Sequence, residues 1–279
     1  MIKANSENLL EKACKLSEAT DLHYAASIDD VKSINSILES GLIDINCRDK
    51  HGQTPLHYAA LRSCEGAVET LLSRGSRIGF INNHGDKAYD LATKNRNEKI
   101  IKMIDRRKSH LNSDFLVAAI LDPDFKEAKT FLKEGADINT KDANGNTALH
   151  FVAASGKVPS VINLLQEGAK YNAKNNDRDT PLHCAVRNNK TLVVEALLGK
   201  TTAFWDNIEI DLELNLHDKE SINAKNKFKK TPLDLAIKNN NYEIIKIFSE
   251  VLDLQPGSLL KKPSAEKLNG KTESCCIIT

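Results

Sequence analysis

The sequence predicts an all-α repeat solenoid, and three observations carry that expectation. A short motif recurs along most of the chain at a nearly fixed interval. Each copy leads into a second apolar-periodic segment, and polar, mostly glycine-bearing turns separate successive pairs. The composition is that of a folded chain with balanced charge: among 279 residues, 39 Lys and Arg face 38 Asp and Glu, and mean hydropathy is −0.40. That balance argues against a nucleic-acid partner, which calls for a positive field, and no small-molecule substrate or cofactor is implied.

The motif is plainest in Thr54-Pro55-Leu56-His57-Tyr58-Ala59-Ala60, Thr180-Pro181-Leu182-His183-Cys184-Ala185 and Thr231-Pro232-Leu233-Asp234-Leu235-Ala236. Weaker copies begin at Thr20, Lys87, Ser113 and Thr147, so successive spacings are 34, 33, 26, 34, 33 and 51 residues. A self-similar period near 33 residues marks units that bury their apolar faces on one another. Within a unit, Thr54 is placed to cap a helix whose first position is Pro55, where a missing N–H costs nothing. Leu56, Ala59 and Ala60 share one helical face, and the alanines admit a close neighbour. A second helix follows through Ala67-Val68-Glu69-Thr70-Leu71-Leu72, with Gly75 in the place of a left-handed cap. The turn Asn139-Thr140-Lys141-Asp142-Ala143-Asn144-Gly145-Asn146 sets a glycine where a positive φ is needed.

These segments resemble the ankyrin repeat family, whose signature is the same Thr-Pro-Leu-His-x-Ala at a 33-residue period. The resemblance covers residues 20 to 252 and implies about seven helix-turn-helix units, with the polar turns projecting as β-hairpin fingers. It also implies a non-catalytic protein that binds a protein partner through fingers and concave helix face. The finger side chains singled out for that contact are Arg48, Lys50, His84, Lys141, Asn144, Lys174, Arg178, Lys227, Phe228 and Lys229. Residues 1–19 read as a capping helix, 20–108 as repeats one to three, 109–252 as repeats four to seven, and 253–279 as a flexible tail.

Four departures from the period are informative. The Asp90-Leu91-Ala92 and Asp234-Leu235-Ala236 copies resemble terminal caps. The 26-residue spacing after the first of them points either to a break near Arg106 to Asn112, giving two sub-arrays, or to a continuous, kinked array. Arg178 and Lys229 stand where the turn wants glycine, which predicts a reshaped turn or a side chain kept for a partner, the reshaped turn being favoured. Finally, an insertion at about 199–221 alternates strictly through Ile208-Glu209-Ile210-Asp211-Leu212-Glu213-Leu214, a strand signature, and lies beside Phe204 and Trp205. These aromatics either tuck the loop onto the array or meet a partner.

The finger Lys225-Asn226-Lys227-Phe228-Lys229-Lys230 is either a solvated charge run or a dock for an anionic surface, a membrane among them. Downstream, Cys276-Ile277-Ile278-Thr279 fits a C-a-a-X prenylation box, a pattern expected by chance in roughly one terminus per thousand. A terminal threonine most resembles serine, which points to farnesyl. One prenyl chain anchors weakly, so a second signal is called for, and Cys275 as a palmitoyl site with Lys261, Lys262, Lys267 and Lys271 would supply it. The expected location is therefore cytoplasmic, peripheral to a membrane, since no apolar run reaches the length of a span and the start leads into no signal-peptide core.

Catalytic readings find little support. His23, His57, His150 and His183 share one repeat position and read as structural, bonding the adjoining turn. Cys184 sits within a helix motif as a small hydrophobe, and Gly270-Lys271-Thr272 lacks the earlier glycine of a phosphate loop. The six cysteines show no metal-ligand spacing. Thirty lysines against nine arginines, with 26 asparagines, point to an AT-rich genome. Together with a eukaryotic-type lipid box, this composition resembles that of effector proteins delivered into host cells by intracellular bacteria.

Overall fold

The computed structural model describes residues 19–122, 124–199 and 222–253, and within them the chain is helical throughout, with no strand. Helices α1 (Asp21–Ser27) and α2 (Val31–Glu39) form the first repeat, α3 (Pro55–Leu61) and α4 (Glu65–Ser73) the second. They are followed by α5 (Ala88–Lys94), α6 (Glu98–Leu121) and α7 (Lys126–Glu134). Then come α8 (Ala148–Ser155) and α9 (Val158–Gln166), α10 (Pro181–Arg187) and α11 (Thr191–Leu197), and α12 (Pro232–Lys238) and α13 (Tyr242–Val251). The capping helix read at 1–19, the insertion with Phe204 and Trp205, and the tail with Cys275 and Cys276 lie outside the described residues.

Two compact units divide the chain: Met1–Ala148 with Ile162–Lys170, and Leu149–Val161 with Tyr171–Thr279. In the first, α1 packs on α3 and α3 on α5, so first helices stack in register and second helices stack behind them. Their core is a strip of small and branched residues, with Leu22, Ala26, Leu56, Ala59, Ala60, Leu71 and Ile100 all at most 1% exposed. The alanines bring the first helices together, as the motif requires. In the second unit, α10 packs on α12, each also meeting its own second helix. Leu182, Val186, Val194, Ala236, Ile244 and Phe248 are buried there.

The short spacing between the third and fourth copies has a definite cause. Helix α6 runs unbroken for 24 residues, serving as second helix of repeat three and first helix of repeat four, and it passes straight through 106–112. Seven repeats therefore share thirteen helices among the described residues. The missing stretch is identifiable. Asn46 and Asn139 each stand eight residues before the motif threonine and accept a backbone N–H from the next unit, Arg77 and Lys170 respectively, both at 2.8 Å. Asn112 accepts from Asp137 N–H in the same way at 2.8 Å, yet stands directly before Ser113. The finger is what repeat four lacks.

Asn97 caps the start of α6 through Ile100 N–H at 3.2 Å, and the helix stops at Asp122, whose ψ of 110° suits a residue preceding proline. Ile100, Ile104, Leu111, Phe115 and Ala118 form one buried stripe along its length. In place of a finger contact, Ile78 N–H bonds Glu134 O at 3.1 Å, and Gly79 meets Gly135 so closely that a Cβ on Gly135 would sit 2.9 Å from Gly79 N. Beside this junction lies a cleft of about 290 Å3 lined by Tyr89, Asp90, Asp105 and Lys108.

Candidate partner-binding surface

Each finger is built on one Asp or Asn. The Oδ1 of Asp49, Asn82, Asp142, Asn175 and Asn226 accepts the N–H groups two and four residues on, at 2.7 to 3.0 Å. The backbone closes the same loop, as in Asp49 N–H to Gln53 O at 3.0 Å. Such Asx turns fix the backbone locally, so the fingers are tight turns in place of the β-hairpins the family resemblance implied. Neighbouring fingers touch through single bonds, Asn83 N–H to His51 O at 2.9 Å and Lys227 N–H to Asp177 O at 2.7 Å. One bond is too few to make a ladder.

The fourth residue of each turn lies in the left-handed region. Gly52, Gly85 and Gly145 take φ of 71°, 82° and 76°, while Arg178 and Lys229 take 59° and 58°. The two bulky residues keep every hydrogen bond of the glycine version, so the favoured expectation of a reshaped turn is corrected: the turn is retained and its strain accepted. That strain is about 1–2 kcal/mol per residue relative to glycine.

The histidines act as ties between repeats. Nδ1 of His23, His57 and His183 accepts the backbone N–H of its own repeat's threonine at 3.1 to 3.2 Å. That donor leaves the proton on Nε2, which donates to the last carbonyl of the next finger: Gln53 O, Asp86 O and Lys230 O at 3.0 to 3.1 Å. His150 reaches Asp179 O likewise at 3.0 Å. Asp90 and Asp234 take the threonine-side half of the task, accepting Lys87 N–H and Thr231 N–H at 2.8 Å. Those two repeats are the ones with no finger after them in the described residues. His57→Asp should therefore keep its cap but abandon the Asp86 carbonyl, lowering stability by about 1–3 kcal/mol in a urea melt. An unchanged midpoint would remove the tie from the account.

No group of three or more His, Cys, Asp or Glu able to hold a metal occurs among the described residues. Burial raises the pKa of the Cys47, Cys64 and Cys184 thiols, the last to about 11, so none is poised as a thiolate. No described helix is long and apolar enough to cross a membrane.

Most of the contact residues read from sequence are exposed on finger tips: Lys50, His84, Lys141, Asn144, Lys174, Arg178, Lys227, Phe228 and Lys229. They fall on separate fingers, and the structure draws together those of 174–178 and 225–230 through the Lys227–Asp177 bond. Arg48 is also exposed but engaged: its guanidinium group donates to Gly52 O and Ile81 O at 3.1 and 2.9 Å and lies over the Phe80 ring, hooking one finger to the next. The sequence reading missed this hook, and the Arg77 guanidinium near the same ring is its one local signal.

Stacked helix pairs presenting a row of rigid, variable turns define a scaffold of the protein-interaction class. A profile of three ankyrin repeats matches residues 7–113 and again 115–211, and the chain belongs to the ankyrin repeat family. It is accordingly a protein–protein interaction module. Among curated proteins it is similar to the BTB/POZ domain and ankyrin repeat-containing protein NPR1 of Malus hupehensis, at 29% identity over 42% of this chain and 20% of that protein. It is also similar to ankyrin repeat protein FPV244 of fowlpox virus, at 30% over 49% of this chain and 20% of that protein. A third, L-asparaginase of Dirofilaria immitis, matches at 30% over 48% of this chain and 24% of that protein. The chain thus spans about a quarter or less of these relatives.

Proposed function

We propose that this chain is a non-catalytic adaptor that grips one protein partner with its finger tips and is held on a cytosol-facing membrane by a prenyl group on Cys276, with Cys275 palmitoylated. The observation that carries the adaptor reading is the contrast within each finger. Its base is fixed by Asx bonds and, in four repeats, by the preceding histidine, while its tip side chains are exposed and differ from finger to finger. A rigid base with a variable tip lowers the ordering cost of binding and lets each tip set specificity.

The anchor and the setting rest on sequence: the Cys276-Ile277-Ile278-Thr279 box and the upstream lysines support lipidation, and the lysine- and asparagine-rich composition supports a bacterial effector acting in a host cell. A photo-crosslinking residue at Lys50, His84, Lys141 or Phe228, in protein expressed in eukaryotic cells, tests the adaptor. It predicts a discrete cross-linked protein from tip positions and none from helix positions such as Leu192. Intact mass and membrane fractionation, with Cys276→Ser for comparison, test the anchor. A prenyl mass increment and membrane residence that the variant loses are expected. An unmodified, soluble protein would leave a cytosolic scaffold in place of the anchored one.

A further inference from the structure

We infer that the fingers at 174–178 and 225–230 make one docking surface for an acidic segment of a protein partner that also carries an apolar side chain. This rests on the reading of finger tips as contact points and names the chemistry of what they contact.

Charge is the first argument. Lys174, Arg178, Lys225, Lys227, Lys229 and Lys230 are exposed on these adjacent turns. The acid at the base, Asp179, is 1% exposed and committed to Arg187 and to Asn226 Nδ2, at 2.5 and 2.9 Å. That leaves Asp177 as the exposed carboxylate of the two turns, 3.8 Å from Lys227. Six cations against one exposed carboxylate repel one another, and an anionic partner relieves that repulsion.

Backbone is the second. Arg178 and Lys229 are the two finger positions where a side chain is held in a conformation that glycine occupies in the other three fingers. Strained residues of this kind cluster at ligand clamps, because the strain fixes where the side chain emerges. A membrane surface attracts lysines by number, not by placement. Fixed placement at two tips favours discrete carboxylates on a folded or extended protein segment.

Shape is the third. Phe228 is 67% exposed, with its N–H held by Asn226 Oδ1 at 3.0 Å, so the ring stands among the cations on an ordered turn. An aromatic anchor ringed by charges is the arrangement of a binding hot spot, and it calls for an apolar side chain opposite.

Random dodecapeptide phage display on the full-length protein tests the inference, followed by fluorescence polarisation with the best synthetic peptide. Peptides rich in Asp and Glu with one or two apolar residues are expected. Binding should weaken at least about tenfold for the Arg178→Gly/Lys229→Gly double variant. That variant suits the turn better than the native residues do, so its urea midpoint should hold or rise while binding falls. Phe228→Ala, which leaves all the charges in place, should also weaken it. Selected peptides without acidic bias, no selected peptides, or equal binding by the double variant would each overturn the inference. So would co-sedimentation with vesicles of about 30% phosphatidylserine when no peptide binds, which would assign the surface to a membrane. Cross-links at His84 but not at Phe228 would keep the adaptor and discard this surface.

Discussion

Replacing Ser109 with proline should destabilise the first unit by about 3 kcal/mol or more. Ser109 lies at the middle of α6, where its side chain is exposed and bonds only Asp105 O at 3.0 Å, so little packing is lost. The effect comes from the backbone. Proline removes an N–H from the ladder and drives its ring into the carbonyl one turn back. A kink there displaces Ile104 on one side and Leu111 and Phe115 on the other, all at most 2% exposed. Elsewhere in the array a turn would absorb the change, but α6 has no turn, and repeats three and four share it. Ser109→Ala is the control and should be neutral or slightly stabilising, since alanine is the better helix former and the hydroxyl's back-bond gives little support. Urea melts followed by far-UV circular dichroism measure both variants. A proline variant within about 1 kcal/mol of the parent would mean that two separate helices occupy 98–121.

Acid should weaken the fold well before its carboxylates titrate. His23, His57 and His183 have pKa values lowered by burial, against the raising influence of their carbonyl partners. Geometry agrees: each Nδ1 already faces an N–H, so a second proton there would oppose a donor with a donor. In the unfolded chain these histidines protonate near pH 6.5. Below that value the unfolded state binds more protons than the folded one, so their contribution is complete above pH 6.5 and is lost as pH falls through the lower, folded values. Each histidine adds a slope of at most about 1.4 kcal/mol per pH unit, and the three act in the same window. Asp30, held low chiefly by its hydrogen bond from the Ser33 hydroxyl, loses its contribution only in the carboxylate range beneath. The urea midpoint should therefore drop between about pH 7 and pH 5. A flat midpoint there would contradict the buried, neutral tie.

Much of this was legible in the residues. The Thr-Pro-Leu-His spacing located the repeats, the Ala59–Ala60 type of pair marked the packing face, and the shared position of four histidines marked them as structural. The continuity of α6 was legible too, but harder to see. No glycine or proline lies between Asn97 and Asp122, the stripe Ile100, Ile104, Leu111, Phe115 keeps one helical period, and Asn112 abuts Ser113 with the finger residues gone. A repeat-to-repeat comparison stresses the shortened interval, which looks like damage, whereas the helix period shows what fills it. The turns at Arg178 and Lys229 could not be read locally, because the Asx bonds and the neighbouring finger that hold them are supplied by other residues. The same is true of Arg48, whose acceptors lie four and 33 residues away.

The pairing of histidine with a following finger, and of aspartate with none, makes the copies non-interchangeable. Repeats two and six, each ending its tie on a carbonyl, could in principle trade places, but repeat three could not be moved to a position before a finger without stranding that carbonyl. Growth of such an array by duplication is thereby restricted to certain seams. The residue after Thr-Pro-Leu works as a local record of what must come next in the chain.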